Sequence, residues 1–371
     1  MTVIEDLVDR SGPLKEEVLE FARRPQFDRA FRQEIHRRFG DPVVAEEEEV
    51  ANFFDWFIQQ YRRPDGKTIV DCFLDARPDL PPAEREFLLG WRDVVEGIFE
   101  VTGRADPVLE TVNVIDDLEY RIRANVGPAI FDQFPPGSFL VTRVVPLGDE
   151  WLISGMSAAY PAEHRDQILQ VAANTALKSP ELVFRNPERL QRGWELQAAE
   201  RAAFIDHFGS DMVILDVADA AKRLPEFTAK RYPGAKADPM KAIVDSVPPW
   251  AETVGLIYDE SDGLGVYFDL HLVEEAFADP DLCRTKPYRE ALKSYLTDDS
   301  LSPVPLIRLA ERDHHNADRV FRLVTGKPRF SWAKDGEALL RKHKPAWYER
   351  PPLPRIAVIG DRLAPYAGTG Q

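Results

Sequence analysis

Residues 97–123 read GIFEVTGRADPVLETVNVIDDLEYRIR, and residues 139–153 read FLVTRVVPLGDEWLI. Apolar residues recur here with a period near two, where the flanking sequence repeats every three to four. Phe99 and Val101 open the stretch, and residues 108–115 follow as a mostly apolar run. Leu118, Tyr120, Ile122 and Ala124 then alternate with Glu119, Arg121 and Arg123, a pattern that gives a strand one buried and one wet face. A turn at Gly148, Asp149 and Glu150 separates residues 139–145 from Trp151, Leu152 and Ile153. Short strands with turn signals between them predict a small antiparallel sheet, closed or nearly so, over residues 98–160.

Helical patterns flank this module. Phe27, Phe31, Ile35 and Phe39 recur every fourth position within an expected helix over residues 14–39, which Gly40, Asp41 and Pro42 end. Acids at residues 46–49 suit the first turn of a second helix, on which Phe53, Phe54, Trp56 and Phe57 have core spacing. Thr68 is placed to cap a short helix with Ile69, Val70, Phe73 and Leu74. Pro81 and Pro82 start another, expected to carry Phe87, Leu88, Trp91, Val94, Val95 and Ile98. Beyond residue 160 helices return, around a short apolar run at residues 212–217. A hairpin is expected from residues 254–258 and 266–268 about the turn Asp262–Gly263, and residues 356–359 read as extended. The expected fold is therefore α+β. It has an N-terminal helical bundle (residues 1–97), a small antiparallel β-barrel-like module (98–160) and a mixed α/β C-terminal domain (161–371).

Forty-seven basic against 63 acidic side chains give a net charge of −16. Such a surface repels phosphate overall, so tight nucleic-acid binding is not expected and any contact must use a local basic patch. Two cysteines, Cys72 and Cys283, are too few for a disulfide framework or a thiolate zinc site. The N-terminal residues carry acids where a secretory signal needs bases, and no apolar run is long enough for a bilayer. A cytoplasmic protein with no membrane partner is expected.

Four stretches form a recognisable set: Phe53-Phe54-Asp55-Trp56-Phe57 with Asp65-Gly66-Lys67-Thr68; residues 141–146 with 151–155; residues 208–213; and residues 332–340. Together they resemble a group of uncharacterised bacterial proteins usually described by an attached SEC-C zinc-binding motif, over about residues 53–363. The cysteine-rich SEC-C motif itself has no counterpart in this chain, so the resemblance implies no zinc role.

Nucleotide-binding glycine loops and a nucleophile elbow are absent from the sequence. One acidic cluster stands out. Asp259, Glu260 and Asp262 precede the hairpin turn, and Asp269, His271, Glu274 and Glu275 follow it. No cofactor is expected from the sequence, but a hairpin folding Asp259 and Glu260 onto Asp269 and His271 would gather oxygens and an imidazole for a divalent cation. The most basic segment, residues 222–241, offers Lys230, Arg231 and Lys236 to a phosphate or nucleic acid. With no catalytic motif evident, the leading expectation is a binding or adaptor protein for a protein or small ligand. A metal-dependent hydrolase using the acidic cluster and a weak RNA-binding protein are the alternatives.

Overall fold

Thr2 opens the first helix, α1 (Val3–Ala22), through a capping box. Its hydroxyl accepts the Glu5 backbone N–H, and its own N–H donates to the Glu5 carboxylate at 2.7 Å. This is a computed structural model, and it describes residues 2–233 and 239–367. The expected helix over residues 14–39 is in fact two, α1 and α2 (Pro25–Phe39). Pro25 sits at the first turn of α2, where its missing N–H costs nothing, whereas inside one long helix it would break the ladder. The helices α3 (Glu47–Gln59), α4 (Ile69–Ala76) and α5 (Pro82–Gly90) complete the bundle. The aromatic run on α3 is core: Phe53 and Phe57 are buried, and the Phe31 ring lies 5.3 Å from each. Thr68 and Asp71 form the capping box of α4.

Six strands follow: β1 (Val95–Ala105), β2 (Val108–Asn113), β3 (Glu119–Arg123), β4 (Phe139–Leu147), β5 (Glu150–Ile153) and β6 (Ala158–Tyr160). Their order is β1-β2-β3-β5-β4, and β4 pairs back onto β1, so five strands close a barrel while β6 extends β4. One expectation needs correction, since β3 and β5 run parallel, through Ile122↔Trp151 and Arg123↔Leu152. A closed ring of five strands cannot alternate direction at every neighbour, and this pair absorbs the odd step. Val95 and Ile98, read from sequence as helical, belong to β1. Pairing of Val95 with Val144 and of Ile98 with Val141 outweighs the helical spacing carried over from α5.

Phe99, Leu109, Tyr120, Ile122, Leu140 and Val144 fill the barrel. Ile98, Val114, Ile115 and Phe139 instead pack with Ile168, Leu169, Ala172 and Ala173 of α6 (Arg165–Lys178). The described residues up to Asn186, joined by those from Val358 onward, make one compact unit, and Pro187–Ala357 make a second. Helix α6 thus belongs with the barrel. Residues 356–359 form no strand, although Val358 and Leu363 are buried in the first unit.

The second unit opens with α7 (Pro187–Phe208), β7 (Met212–Asp216), α8 (Val217–Arg231) and α9 (Pro239–Asp245). The hairpin β8 (Thr253–Asp259) and β9 (Gly263–Phe268) then adds to β7 as a three-stranded antiparallel sheet. Helices α10 (Leu270–Ala278), α11 (Lys286–Thr297), α12 (Val304–Arg312), α13 (His314–Thr325), α14 (Trp332–His343) and α15 (Pro345–Glu349) follow. Gly255 lets α10 lie close on β8, because a Cβ there would come within 2.6 Å of Leu270. Among the described residues no helix is long and apolar enough to cross a membrane.

The barrel core generates a direct test. Phe99 is fully buried with its ring edge-on to Tyr120 at 5.2 Å. Phe99→Ala is expected to lower the stability of the first unit by about 3–5 kcal/mol in urea unfolding. Phe54→Ala, at a half-buried position, should lose less.

Candidate functional site

The hairpin does not gather the acidic cluster. Asp259 closes β8 opposite Gly263, whereas Asp269 follows Phe268, which pairs with Val254 at the other end of the strands. Five residues of strand separate the two levels by roughly 17 Å. Each group is also occupied locally. Asp259 Oδ1 accepts the Ser261 N–H and hydroxyl, and Oδ2 accepts Arg308 at 2.9 Å. Glu260 is exposed, with a carboxylate oxygen 3.8 Å from Arg201. Asp269, in the left-handed backbone region, accepts the Glu252 and Thr253 N–H groups. His271 Nδ1 shares a 2.8 Å hydrogen bond with the Thr253 hydroxyl. Glu274 pairs with Arg312, and Glu275 accepts the Tyr288 hydroxyl. Among the described residues no three His, Cys, Asp or Glu side chains are placed to hold a metal ion. The sequence pattern put acids near one turn, but strand length and local capping disperse them.

An ion-pair chain stands there instead. Arg308 bridges Asp211 at 2.8 Å and Asp259 at 2.9 Å, and Arg201 donates to the same Asp211 oxygen. Burial, the largest single influence, would raise both carboxyl pKa values, but the hydrogen bonds and charge of Arg308, joined by Arg201 at Asp211 and by Ser261 at Asp259, together outweigh it and hold both below the ordinary aspartate range. Two residues of the basic segment are paired as well: Lys230 with Asp206 at 2.9 Å and Arg231 with Glu200 at 2.6 Å. Lys236 lies outside the described residues.

The first unit holds a groove that sequence reasoning did not find. It is a cavity of about 470 Å³ between β1, β4 and α6, walled by Val94, Ile98, Ile115, Val141, Val171 and Leu182. Its polar lining is Gln60, Glu96, Asn113, Asp116, Thr175, Glu181 and Arg185. Alternation places Glu96, Ile98 and Val141 on the outside of the barrel, and α6 together with the 3₁₀ turn Pro180–Arg185 covers them incompletely.

Asp116 is the most constrained of these groups, at 1% exposure. Its Oδ2 accepts the Asn113 amide at 2.9 Å and the Tyr120 hydroxyl at 2.8 Å, and its Oδ1 accepts the Leu118 N–H at 2.9 Å. The Asp116 carbonyl accepts the Asn186 amide. Burial pushes the Asp116 carboxyl above its usual pKa in spite of these donors, and burial beside that carboxyl likewise raises Tyr120. Gly97 permits the packing, since a Cβ there would stand 2.9 Å from the Phe99 ring and 3.0 Å from the Asn113 amide. Arg185 grips both Asp93 oxygens, at 2.9 and 2.8 Å, and lies 5.1 Å from the centre of the Trp151 ring. Glu96 accepts the buried Arg143 at 2.7 Å. Glu181 is exposed and forms no hydrogen bond or ion pair with a described residue. The one trace of this site in the sequence is Asn113 and Asp116 within an otherwise apolar run.

Residues 28–181 match the model of a family described as a family of unknown function, DUF7986. No curated protein and no solved structure matches the chain. The matched span runs from α2 through α6 and carries every groove residue except Leu182 and Arg185.

The ion-pair chain sets a pH test with a definite sign. Carboxyls whose folded pKa is depressed stabilise the fold above their unfolded pKa, and that contribution disappears as pH falls through the folded values. Arg308→Met is expected to cost about 1–3 kcal/mol at pH 7, measured by urea unfolding. The gap from the unsubstituted protein should narrow by pH 3, while magnesium or manganese leaves both melting temperatures unchanged.

Proposed function

We propose that this chain is a non-catalytic binding protein and that the groove beside α6 receives a compact ligand with an apolar body and a cationic end. The carrying observation is the pairing of an apolar wall with an acidic rim in one cavity of about 470 Å³. Ligand sites usually have volumes of about 300–1,000 Å³ and combine apolar walls with a few polar groups that fix orientation. Arg185 and Arg143 are each matched by a carboxylate, Asp93 and Glu96, which leaves Glu181 as the uncompensated charge at the rim. An ammonium group placed there would meet Glu181 while its hydrocarbon covers Ile98 and Val141.

Binding without turnover is supported by the lining itself. It contains no histidine, cysteine, serine or lysine, and the Asp116 carboxyl is enclosed by three donors rather than open to a substrate.

Calorimetry with phenethylamine, phenethyl alcohol and phenylpropionate distinguishes the charge types. The amine is expected to bind best, Glu181→Gln to weaken it about fivefold, and Val141→Trp to abolish it by filling the groove without lowering the melting temperature. Equal binding of the carboxylate, or amine affinity that survives Val141→Trp, would refute this assignment.

A further inference from the structure

The second unit carries a concavity of opposite character. Helices α11, α13 and α14 enclose about 390 Å³, with Leu296, Val324, Phe330 and Leu339 forming the apolar part of its lining. Lys293, Lys327 and Lys342 line it from three separate segments, together with His343, Thr297 and Thr325. None of the three ammonium groups has a hydrogen bond or ion pair to a described residue. Lys15, Lys67, Lys230 and Lys286, by contrast, pair with acids. The one acid in the lining, Asp335, accepts the Ser331 N–H at the start of α14.

Helix ends explain part of this placement. Lys342 is in the last turn of α14, and Lys327 follows the C-terminus of α13, where the helix dipole favours cations. The dipole does not explain why Lys293, a full turn before the end of α11, faces the same space. Three lysines that share one concavity with a single carboxylate, Asp335, leave an excess of positive charge there, which a bound anion would relieve. His343 registers the field: burial, and then Lys342, Lys344 and Lys327, depress its pKa.

We infer that this concavity is a binding site for a compact organic phosphate, with the phosphoryl oxygens held by Lys293, Lys327 and Lys342. The Thr297 and Thr325 hydroxyls already donate to the Lys293 and Phe321 carbonyls, so the lysines supply the charge recognition. Leu296, Phe330 and Leu339 would meet the ligand's hydrocarbon part. The site is independent of the groove in the first unit, and its charge selects the opposite class of ligand.

The test uses the full chain and three probes at constant ionic strength: inorganic phosphate, phenyl phosphate and phenol. Phenyl phosphate is expected to bind saturably and roughly tenfold more tightly than phosphate, because only it satisfies both charge and apolar contact. Phenol is expected not to bind. Lys293→Gln, Lys327→Gln and Lys342→Gln should each weaken phenyl phosphate about fivefold or more, whereas Lys222→Gln on α8 should have no effect. Bound phosphate should also raise the His343 pKa, read from its imidazole resonances. Absence of saturable binding at millimolar phenyl phosphate would overturn the inference. So would undiminished binding in the triple lysine variant, or a His343 titration that ignores the ligand.

Discussion

A buried carboxylate with three donors organises the first unit. Asp116 ties the end of β2, the start of β3 and the Tyr120 hydroxyl inside the barrel to one pair of oxygens. Its backbone carbonyl reaches Asn186, just past the 3₁₀ turn that carries Arg185. A carboxylate placed there without donors would be prohibitively costly, and so would the donors without the carboxylate. The requirement is mutual, which is why Gly97 must leave room for the Asn113 amide. The groove inherits its shape from this arrangement, because Asn113, Asp116 and Arg185 all form part of its wall.

Charge is handled differently in three places. Around Asp211 and Asp259, two arginines bridge and balance two carboxylates. At the groove, Arg185 is matched by Asp93 and Glu96 by Arg143, and Glu181 is left over. Between α11, α13 and α14 the surplus is cationic. A net charge of −16 describes none of these sites individually, since fields at a concavity depend on the few groups that face it.

The fold was legible wherever periodicity was the deciding force. Tyr120 and Ile122 are buried, and Glu119 and Arg121 exposed, as alternation requires, and the 254–268 hairpin forms in the expected place. Sequence reading erred where a non-local constraint decided. The parallel β3–β5 pair follows from closing a ring of five strands, and no residue in either strand announces it. Val95 and Ile98 continue a helical spacing, yet they join β1 because β4 offers partners. The acidic cluster misled for a related reason: neighbours in sequence were credited with convergence, although a strand carries Asp259 and Asp269 to opposite ends. Both concavities were invisible because their walls come from segments distant in sequence. Glu96 and Glu181 both line one, and Lys293 and Lys342 both line the other.

The assignment of residues from Val358 onward to the first unit also bears on the order of folding. Leu363 is buried with Ile168 and Leu169, and Arg362 pairs with Glu100 on β1. On the ribosome, domains usually complete themselves from the N-terminal side. Here all of Pro187–Ala357 is synthesised before the segment that finishes packing α6. The earlier-synthesised unit must therefore wait, with part of its apolar surface uncovered, while the inserted unit is made. The apolar surface left for a nascent-chain chaperone in that interval includes the side of Ile168 and Leu169 that Leu363 later covers.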